Sequence, residues 1–191
     1  LSDHHFCTNE ESHARLVSMG CKVDTVFDFG SLDVEFASLV EPKKLRDKPY
    51  LFVAYHPIEG EDEKQLDKAL ANFSGYEIVR IGSNKDYGRQ YGEETYSPED
   101  YINLMRGASC LIGNSSSLLK EASILGVGVV NIGSRQNNRL KPKNVLDVPC
   151  EAEKIKLGIT YQLANKYEPD YTYSKPNSSK GITQMMLKIL N

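Results

Sequence analysis

Short apolar segments alternate with helical segments along the chain from Tyr50 onward. The first apolar segment, PYLFVAYH at 49–56, predicts a strand, and a helix is predicted from about 61 to 73. Four further strands are predicted, at 76–81, 111–112, 127–132 and 145–148, with helices between and after them. Because parallel strands are joined by helical crossovers, this order predicts an α/β fold: a Rossmann-like, mostly parallel sheet with helices on both faces.

The first 48 residues are predicted to lead into this sheet. They contain a short strand at 4–8, a helix that Asn9 caps, and a small strand at 25–29. The segment 41–49, with two prolines and several charged residues, reads as a linker. We therefore divide the chain into a lead-in, residues 1–48, and a Rossmann-like domain, residues 49–191.

Composition excludes several classes of function. A chain of 191 residues, 40% hydrophobic and 26% charged, is long enough to bury one substantial core. Its net charge of −3 and dispersed lysines and arginines argue against a nucleic-acid partner. Its four cysteines lack metal-site spacing, and no apolar run approaches the ~18 residues of a membrane span, so a cytoplasmic protein with reduced thiols is expected. Neither GxGxxG nor the P-loop pattern occurs, which disfavours a dinucleotide cofactor and ATP hydrolysis.

A serine-rich turn follows the predicted strand that ends at Gly113. Its sequence, GNSSS at 113–117, precedes apolar residues at helical spacing. We therefore expect Ser115, Ser116 and Ser117 at the start of a helix, where free backbone N–H groups and the helix dipole favour an anion such as a phosphate. Serine is also a common helix N-cap, so capping alone is the alternative role of this turn.

Charged side chains are predicted to gather around the serine turn. Glu121 lies four residues after Ser117, on the same face of the predicted helix, where its carboxylate is suited to accept hydrogen bonds from ribose hydroxyls. Its alternative role is a charge on the helix surface. Arg135 and Arg139 follow the next strand, at the sheet edge where ligands of open α/β folds bind, and their guanidinium groups are suited to phosphate.

Three further segments are predicted at the same edge of the sheet. His56 ends the strand 49–56, where a functional role and a backbone hydrogen bond at the sheet edge fit equally well. Asn84 and Asp86 lie in a loop after the next strand, for which plain turn formation is the alternative. Tyr101, early in a predicted helix, is expected to lie either against a nucleotide base or in the core.

Together these segments resemble the UDP-N-acetylglucosamine 2-epimerase family, and its hydrolysing branch most closely. The resemblance is carried by GNSSS at 113–117, by Glu121 one helical turn later, and by NIGSRQNNR at 131–139, in that order and spacing. It extends over nearly the whole chain. The opening HHFCTNEESHARLVSMG is similar to the passage from the N-terminal to the C-terminal domain in that family.

The resemblance implies a fold and an activity. Family members have two facing Rossmann-like domains of the GT-B type, so this chain is expected to be the C-terminal half, with the N-terminal domain missing. The hydrolysing branch converts UDP-N-acetylglucosamine to UDP and N-acetylmannosamine by anti elimination of UDP through a 2-acetamidoglucal intermediate, as in sialic acid and cell-surface polysaccharide biosynthesis. The expected partners are UDP or a UDP-sugar, the missing N-terminal domain and, since family members commonly form dimers or tetramers, further copies of the chain.

The resemblance also implies roles for individual residues. His56 is the expected catalytic residue, in contact with the phosphate or sugar near the leaving oxygen. The expected UDP-binding residues are Ser115, Ser116, Ser117, Glu121, Arg135, Gln136, Arg139, Asn84, Asp86 and Tyr101. No metal or other cofactor is expected. Since the acid and base carboxylates of the family lie on the N-terminal domain, this chain alone is expected to bind UDP weakly and to be inactive.

Two departures from the family sequence keep other interpretations open. Leu118 and Leu119 replace small residues after the serine turn, and the family's late YGDGNA-like stretch is here YSKPNS at 173–178. Leu118 and Leu119, with the stand-alone length of the chain, fit a nucleotide-sugar-binding module that has lost catalysis, and the late change implies different contacts near the end of the chain. The donor-binding half of a GT-B glycosyltransferase is a third interpretation, because it shares the fold and the ribose-binding glutamate.

Overall fold

A computed structural model describes residues 2–61, 64–82 and 96–190. The strands are β1 (His5–Cys7), β2 (Val26–Asp28), β3 (Tyr50–Ala54), β4 (Glu77–Arg80), β5 (Cys110–Gly113), β6 (Val129–Ile132) and β7 (Val145–Val148). The helices are α1 (Glu10–Ser18), α2 (Leu32–Leu39), α3 (Lys64–Leu70), α4 (Pro98–Gly107), α5 (Glu121–Leu125), α6 (Ala152–Ala164) and α7 (Ser178–Leu190). Short 3-10 turns lie at Val23–Thr25 and Ser116–Leu118.

Five parallel strands form the main sheet, in the order β4-β3-β5-β6-β7, which confirms the predicted fold class. The chain places β4 on one side of β3 and then crosses to the other side to form β5. Strand order therefore reverses between β3 and β5, whose last paired residues are Ala54 and Gly113. Ligands of open α/β sheets bind outside the carboxyl ends of the strands at such a reversal, so the fold directs attention to this point.

Alternate residues of the interior strand β3 pack on opposite faces of the sheet. Tyr50, Phe52 and Ala54 join a core cluster with buried residues of α4 and α5. Leu51 and Val53 join a second cluster with buried residues of α3 and α6. Burial on both faces explains why this strand reads as a continuous apolar run, and each fully buried large side chain contributes about 1.5–3 kcal/mol to folding.

A smaller parallel pair, β1 with β2, precedes the main sheet. As predicted, Asn9 caps α1, and its side-chain oxygen accepts a hydrogen bond from the Ser12 N–H at 2.8 Å. This region is also attached to the end of the chain, because α2 contacts α7 and Lys175 Nζ lies 2.5 Å from Asp28 Oδ2. The boundary at residue 48 stays a prediction. Within the described ranges, no helix has both the length and the apolar character needed to cross a membrane.

Candidate functional site

The serine turn begins where β5 ends, beside the end of β3. Gly113 has a φ of +141°, and a Cβ added there would collide with the carbonyl oxygen of Ala54, so glycine is required for this close approach. The N–H groups of Asn114 and Ser115 both donate to that carbonyl, at 3.1 and 3.2 Å. These bonds fix the start of the turn at the reversal of strand order.

The prediction of one continuous helix after the serine turn is wrong. Ser116–Leu118 form a 3-10 turn, and α5 begins only at Glu121. Leu118 and Leu119 are completely buried, so their apolar spacing reflects burial in the core and not a regular helix. The five-residue α5 starts after the serines, and the serine turn therefore offers mainly side-chain hydroxyls to a ligand, with less of a helix dipole than the sequence suggested.

The hydroxyl groups of this turn form a short chain that includes Tyr101. Tyr101 Oη lies 2.7 Å from Ser117 Oγ, which donates to Ser115 Oγ at 3.0 Å. The Tyr101 ring packs edge-on against Phe52, with 5.4 Å between ring centroids, and burial raises the pKa of Tyr101 to about 12. Tyr101 is thus largely a core residue whose hydroxyl supports the serine turn, and its contact with a base stays a prediction.

Glu121 follows the turn and lines a cleft of about 380 Å³ together with Phe36, Tyr96 and Tyr101. Its Oε2 atom is buried and has no hydrogen-bond partner within the described part of the chain. Burial raises the pKa of the Glu121 carboxyl above its ordinary value, although the positive charge of Lys120 acts in the opposite direction. A buried oxygen without a partner is unfavourable, and a ligand hydroxyl would supply the missing hydrogen bond.

Asn114, which sequence reasoning did not list as a site residue, joins the ends of three strands. Its Oδ1 accepts from the His56 backbone N–H at 2.7 Å, and its Nδ2 donates to the His56 carbonyl at 2.8 Å. Its own carbonyl accepts from Arg135 Nη1 at 3.0 Å and from Gln136 Nε2 at 2.7 Å. We call these four residues the Asn114 junction. Asn114 is completely buried and Gln136 is buried, whereas His56 is half-buried and Arg135 is exposed, so the junction runs from the folded interior to the surface at the sheet edge.

Glu61 is a second residue that sequence reasoning missed. Its Oε1 accepts from the Ser134 N–H at 3.0 Å, and its Oε2 accepts from the Tyr55 hydroxyl at 3.0 Å. Because Tyr55 follows β3 and Ser134 follows β6, Glu61 holds the arginine-bearing loop to the end of β3. An acid inside an acidic loop carried no distinguishing signal in the sequence.

The structure brings most of the predicted site residues to the reversal of strand order, in two groups. The serine-turn group consists of Ser115, Ser116, Ser117, Tyr101 and Glu121. His56, Arg135 and Gln136 belong to the Asn114 junction. Arg139 is exposed and lines a different cleft, with Arg15 and Tyr173.

The remaining predicted site residues, Asn84 and Asp86, lie outside the described residues. Among the residues at 2–61, 64–82 and 96–190, no group of three or more His, Cys, Asp or Glu side chains is placed to hold a metal ion.

Comparison with known proteins gives consistent matches. A family model described as UDP-N-acetylglucosamine 2-epimerase matches residues 1–187. The chain is 32% identical to the polysialic acid biosynthesis protein P7 of Escherichia coli, over 87% of the chain and 51% of that protein. It is 28% identical to the UDP-N-acetylglucosamine 2-epimerase of Neisseria meningitidis serogroup B, over 100% of the chain and 58% of that protein. A UDP-N,N'-diacetylbacillosamine 2-epimerase (hydrolyzing) of Legionella pneumophila is also 28% identical, over 99% and 58%.

Solved structures show the same fold. A Staphylococcus aureus MnaA–UDP co-structure matches with a TM-score of 0.79 at 15% identity, over 100% of this chain and 62% of that one. The UDP-GlcNAc 2-epimerase from N. meningitidis bound to UDP-GlcNAc matches with a TM-score of 0.74 at 16% identity, over 98% and 62%. These likenesses establish the fold as that of one part of a GT-B-type protein. The chain spans about half the length of the curated relatives it matches.

Proposed function

This chain belongs to the UDP-N-acetylglucosamine 2-epimerase family, and on that premise we propose that it is the UDP-binding half of a hydrolysing 2-epimerase. The observation that carries the proposal is that the serine turn and the Asn114 junction meet at the strand-order reversal between β3 and β5. In our proposal, the hydroxyls of Ser115 and Ser116 and the guanidinium of Arg135 bind the diphosphate of UDP.

The nucleoside end of UDP is proposed to enter the cleft that Glu121 lines. The unpaired, buried Oε2 of Glu121 is suited to accept a hydrogen bond from a ribose hydroxyl. The aromatic rings of Phe36, Tyr96 and Tyr101 line the same cleft and offer surfaces for a flat base. Together these features supply separate contacts for the sugar and base of a nucleoside.

The contribution of this half to catalysis is to stabilise the leaving group. In the proposed reaction, a proton leaves C2 of the sugar and the bond between C1 and the diphosphate oxygen breaks, which gives UDP and 2-acetamidoglucal; water then adds to release N-acetylmannosamine. Negative charge grows on the diphosphate as that bond breaks. Cationic and hydrogen-bonding groups that are already in place, chiefly Arg135 and the serines, therefore stabilise the transition state more than the ground state. His56 is proposed to act near the leaving oxygen.

The names of the relatives define which sugars to test. They include a UDP-N-acetylglucosamine 2-epimerase, a hydrolysing UDP-N,N'-diacetylbacillosamine 2-epimerase and a polysialic acid biosynthesis protein. We propose N-acetylmannosamine production for sialic acid or a related surface polysaccharide, with the diacetamido sugar as the second substrate to assay. We also propose that the isolated chain binds UDP and turns over neither sugar.

Two measurements test this proposal. Calorimetric titration of the chain is expected to show UDP binding that is tighter than ADP or GDP binding. Joining the chain to an epimerase N-terminal domain is expected to give release of UDP and a 2-epimerised free sugar from one of the two UDP-sugars. Absence of UDP selectivity would contradict the nucleotide site, and absence of UDP release from the joined protein would contradict the enzymatic assignment.

A further inference from the structure

We infer that Asn114 is a positioning residue that sets the places of His56 and Arg135 before a diphosphate arrives. The inference rests on the proposed function and deepens it by naming the residue that organises the phosphate end of the site. Asn114 itself is completely buried, so its proposed role is exerted through its neighbours and not through contact with the ligand.

The side chain of Asn114 extends the sheet by one residue. The pairing of β3 with β5 ends at Ala54 and Gly113. Beyond that point, the Asn114 amide accepts from the His56 N–H and donates to the His56 carbonyl, as a neighbouring strand would. The backbone of His56 is therefore held in a fixed position past the end of its strand, and this also fixes the position of its Cβ atom.

The backbone of Asn114 positions the arginine. The carbonyl of Asn114 accepts from Arg135 Nη1 and Gln136 Nε2, which uses both of its lone pairs. A guanidinium has five N–H donors, and the Arg135 side chain spends one of them here. Arg135 is nonetheless exposed, so its bond to the Asn114 carbonyl orients the guanidinium and leaves donors for a ligand.

Asn103 provides a matched control elsewhere in the fold. It is also buried, its Oδ1 accepts from the Lys43 N–H at 3.0 Å, and its Nδ2 donates to the Glu41 carbonyl at 3.2 Å. The same pair of amide-to-backbone bonds thus holds the segment that leads into β3, without touching His56 or Arg135, and Asn103 Oδ1 also accepts from Arg106 Nη1 at 2.6 Å. Removing the Asn103 amide therefore breaks at least as many hydrogen bonds as removing that of Asn114, but leaves the bonds at the proposed diphosphate site intact.

The experiment compares UDP with uridine, which lacks the diphosphate. Dissociation constants for both are measured by NMR titration for the wild type, Asn114→Ala, Asn114→Ser and Asn103→Ala, at a temperature where circular dichroism shows each protein folded. Asn114→Ala is expected to weaken UDP about tenfold or more and uridine less than about twofold, because the lost side-chain bonds hold His56, which is proposed to face the diphosphate, whereas the backbone carbonyl that anchors Arg135 is present in every variant. Asn114→Ser, which retains one neutral hydrogen-bonding group, is expected to lose less, and Asn103→Ala to lose no selectivity for UDP.

Hydrogen exchange supplies a second measurement on the free proteins. The His56 amide is expected to exchange faster in Asn114→Ala and Asn114→Ser than in Asn103→Ala. Equal losses of UDP and uridine in the Asn114 variants, or a UDP-specific loss in Asn103→Ala, would overturn the inference. If Asn114→Ala does not fold, Asn114→Ser carries the same comparison. Failure of the wild type to bind UDP would instead overturn the proposed function, and this inference with it.

Discussion

The two groups of residues at the candidate site differ in how far folding has already satisfied their polar atoms. At the Asn114 junction, four hydrogen bonds between 2.7 and 3.0 Å join the ends of three strands, although Arg135 keeps donors for a ligand and Gln136 Oε1 is buried without a partner among the described residues. At the serine turn, hydroxyls bond mainly to one another, and Glu121 keeps a buried oxygen without a described partner. The junction is therefore formed largely by folding alone, whereas in the proposed function a ligand supplies the hydrogen bonds that the serine turn lacks.

This difference predicts which substitutions lower the stability of the fold and which lower the affinity for a ligand. Changes at the end of β5 are expected to act on the free energy of unfolding, because they break bonds that exist without ligand. Changes at Arg135 and Glu121 are expected to act on ligand affinity, because their uncommitted donors and acceptors gain partners only in the complex. Four predictions, ordered from the largest expected effect to the smallest, test that separation.

The largest effect is expected for Gly113→Ala. The substitution places a side chain at a φ of +141° and into the Ala54 carbonyl, so the free energy of unfolding in urea is expected to fall by about 3–5 kcal/mol. Gly20→Ala is the control, because Gly20 also has a positive φ, of +97°, but has open space around it; about 1 kcal/mol is expected there. Equal losses would show that close approach at the end of β5 is not what the junction requires.

Arg135→Ala is expected to act mainly on affinity. Loss of a charge-assisted phosphate contact is predicted to weaken UDP by about 1.5–3 kcal/mol in calorimetry, whereas the free energy of unfolding is expected to fall by about 1 kcal/mol or less, because the Asn114 carbonyl keeps its bond from Gln136. Arg139→Ala is the paired variant, since Arg139 is also exposed but lines another cleft. An equal loss in both variants would extend the diphosphate site to that cleft.

Glu121→Gln is expected to distinguish UDP from its phosphate fragment. The neutral amide is a weaker acceptor for ribose hydroxyls, so UDP binding is predicted to weaken by about 1 kcal/mol while inorganic pyrophosphate binding is unchanged. Competition titrations with the two ligands measure the difference. A matching loss for pyrophosphate would move Glu121 from the ribose end of the site to the phosphate end.

The smallest effect is a pH dependence of stability at Glu121. Its pKa is raised by burial, so between its ordinary and raised pKa the folded protein holds more protons than the unfolded chain. The stability linked to this group is therefore present below the ordinary pKa and is lost as pH rises through the raised pKa. The decline in unfolding free energy from mildly acidic to neutral pH is expected to be shallower in Glu121→Gln, and identical profiles would remove Glu121 from this role.

Local signals made much of the fold predictable from sequence. The apolar run at 49–56 and the cap at Asn9 identified an interior strand and a helix start, and the Asn9 cap is observed. Helix α2 was missed, because its eight residues are stabilised by packing against α5 and α7, which no local pattern reveals.

The sequence predicted where in the fold the candidate site lies but not its internal bonds. The serines, Glu121 and Arg135 were identified from residue type and position at strand ends. The bonds of Asn114 connect residues 58 positions apart, and those of Glu61 reach Ser134 across 73 positions, so neither has a sequence signature. The prediction of a continuous helix after the turn was wrong for a related reason: Leu118 and Leu119 follow helical spacing, but they are apolar because they lie in the core.

The attachment of β2 and α2 to the last helix has a consequence for synthesis. Ser31 N–H donates to the Tyr173 carbonyl at 2.9 Å, and Ser179 N–H donates to Glu35 Oε2 at 2.8 Å. On the ribosome, the main sheet has all its strands once residue 148 has emerged, whereas the hydrogen bonds of Ser31 and Glu35 must wait some 140 residues for Tyr173 and Ser179. The earliest part of this chain to be made is therefore expected to be among the last to reach its final structure.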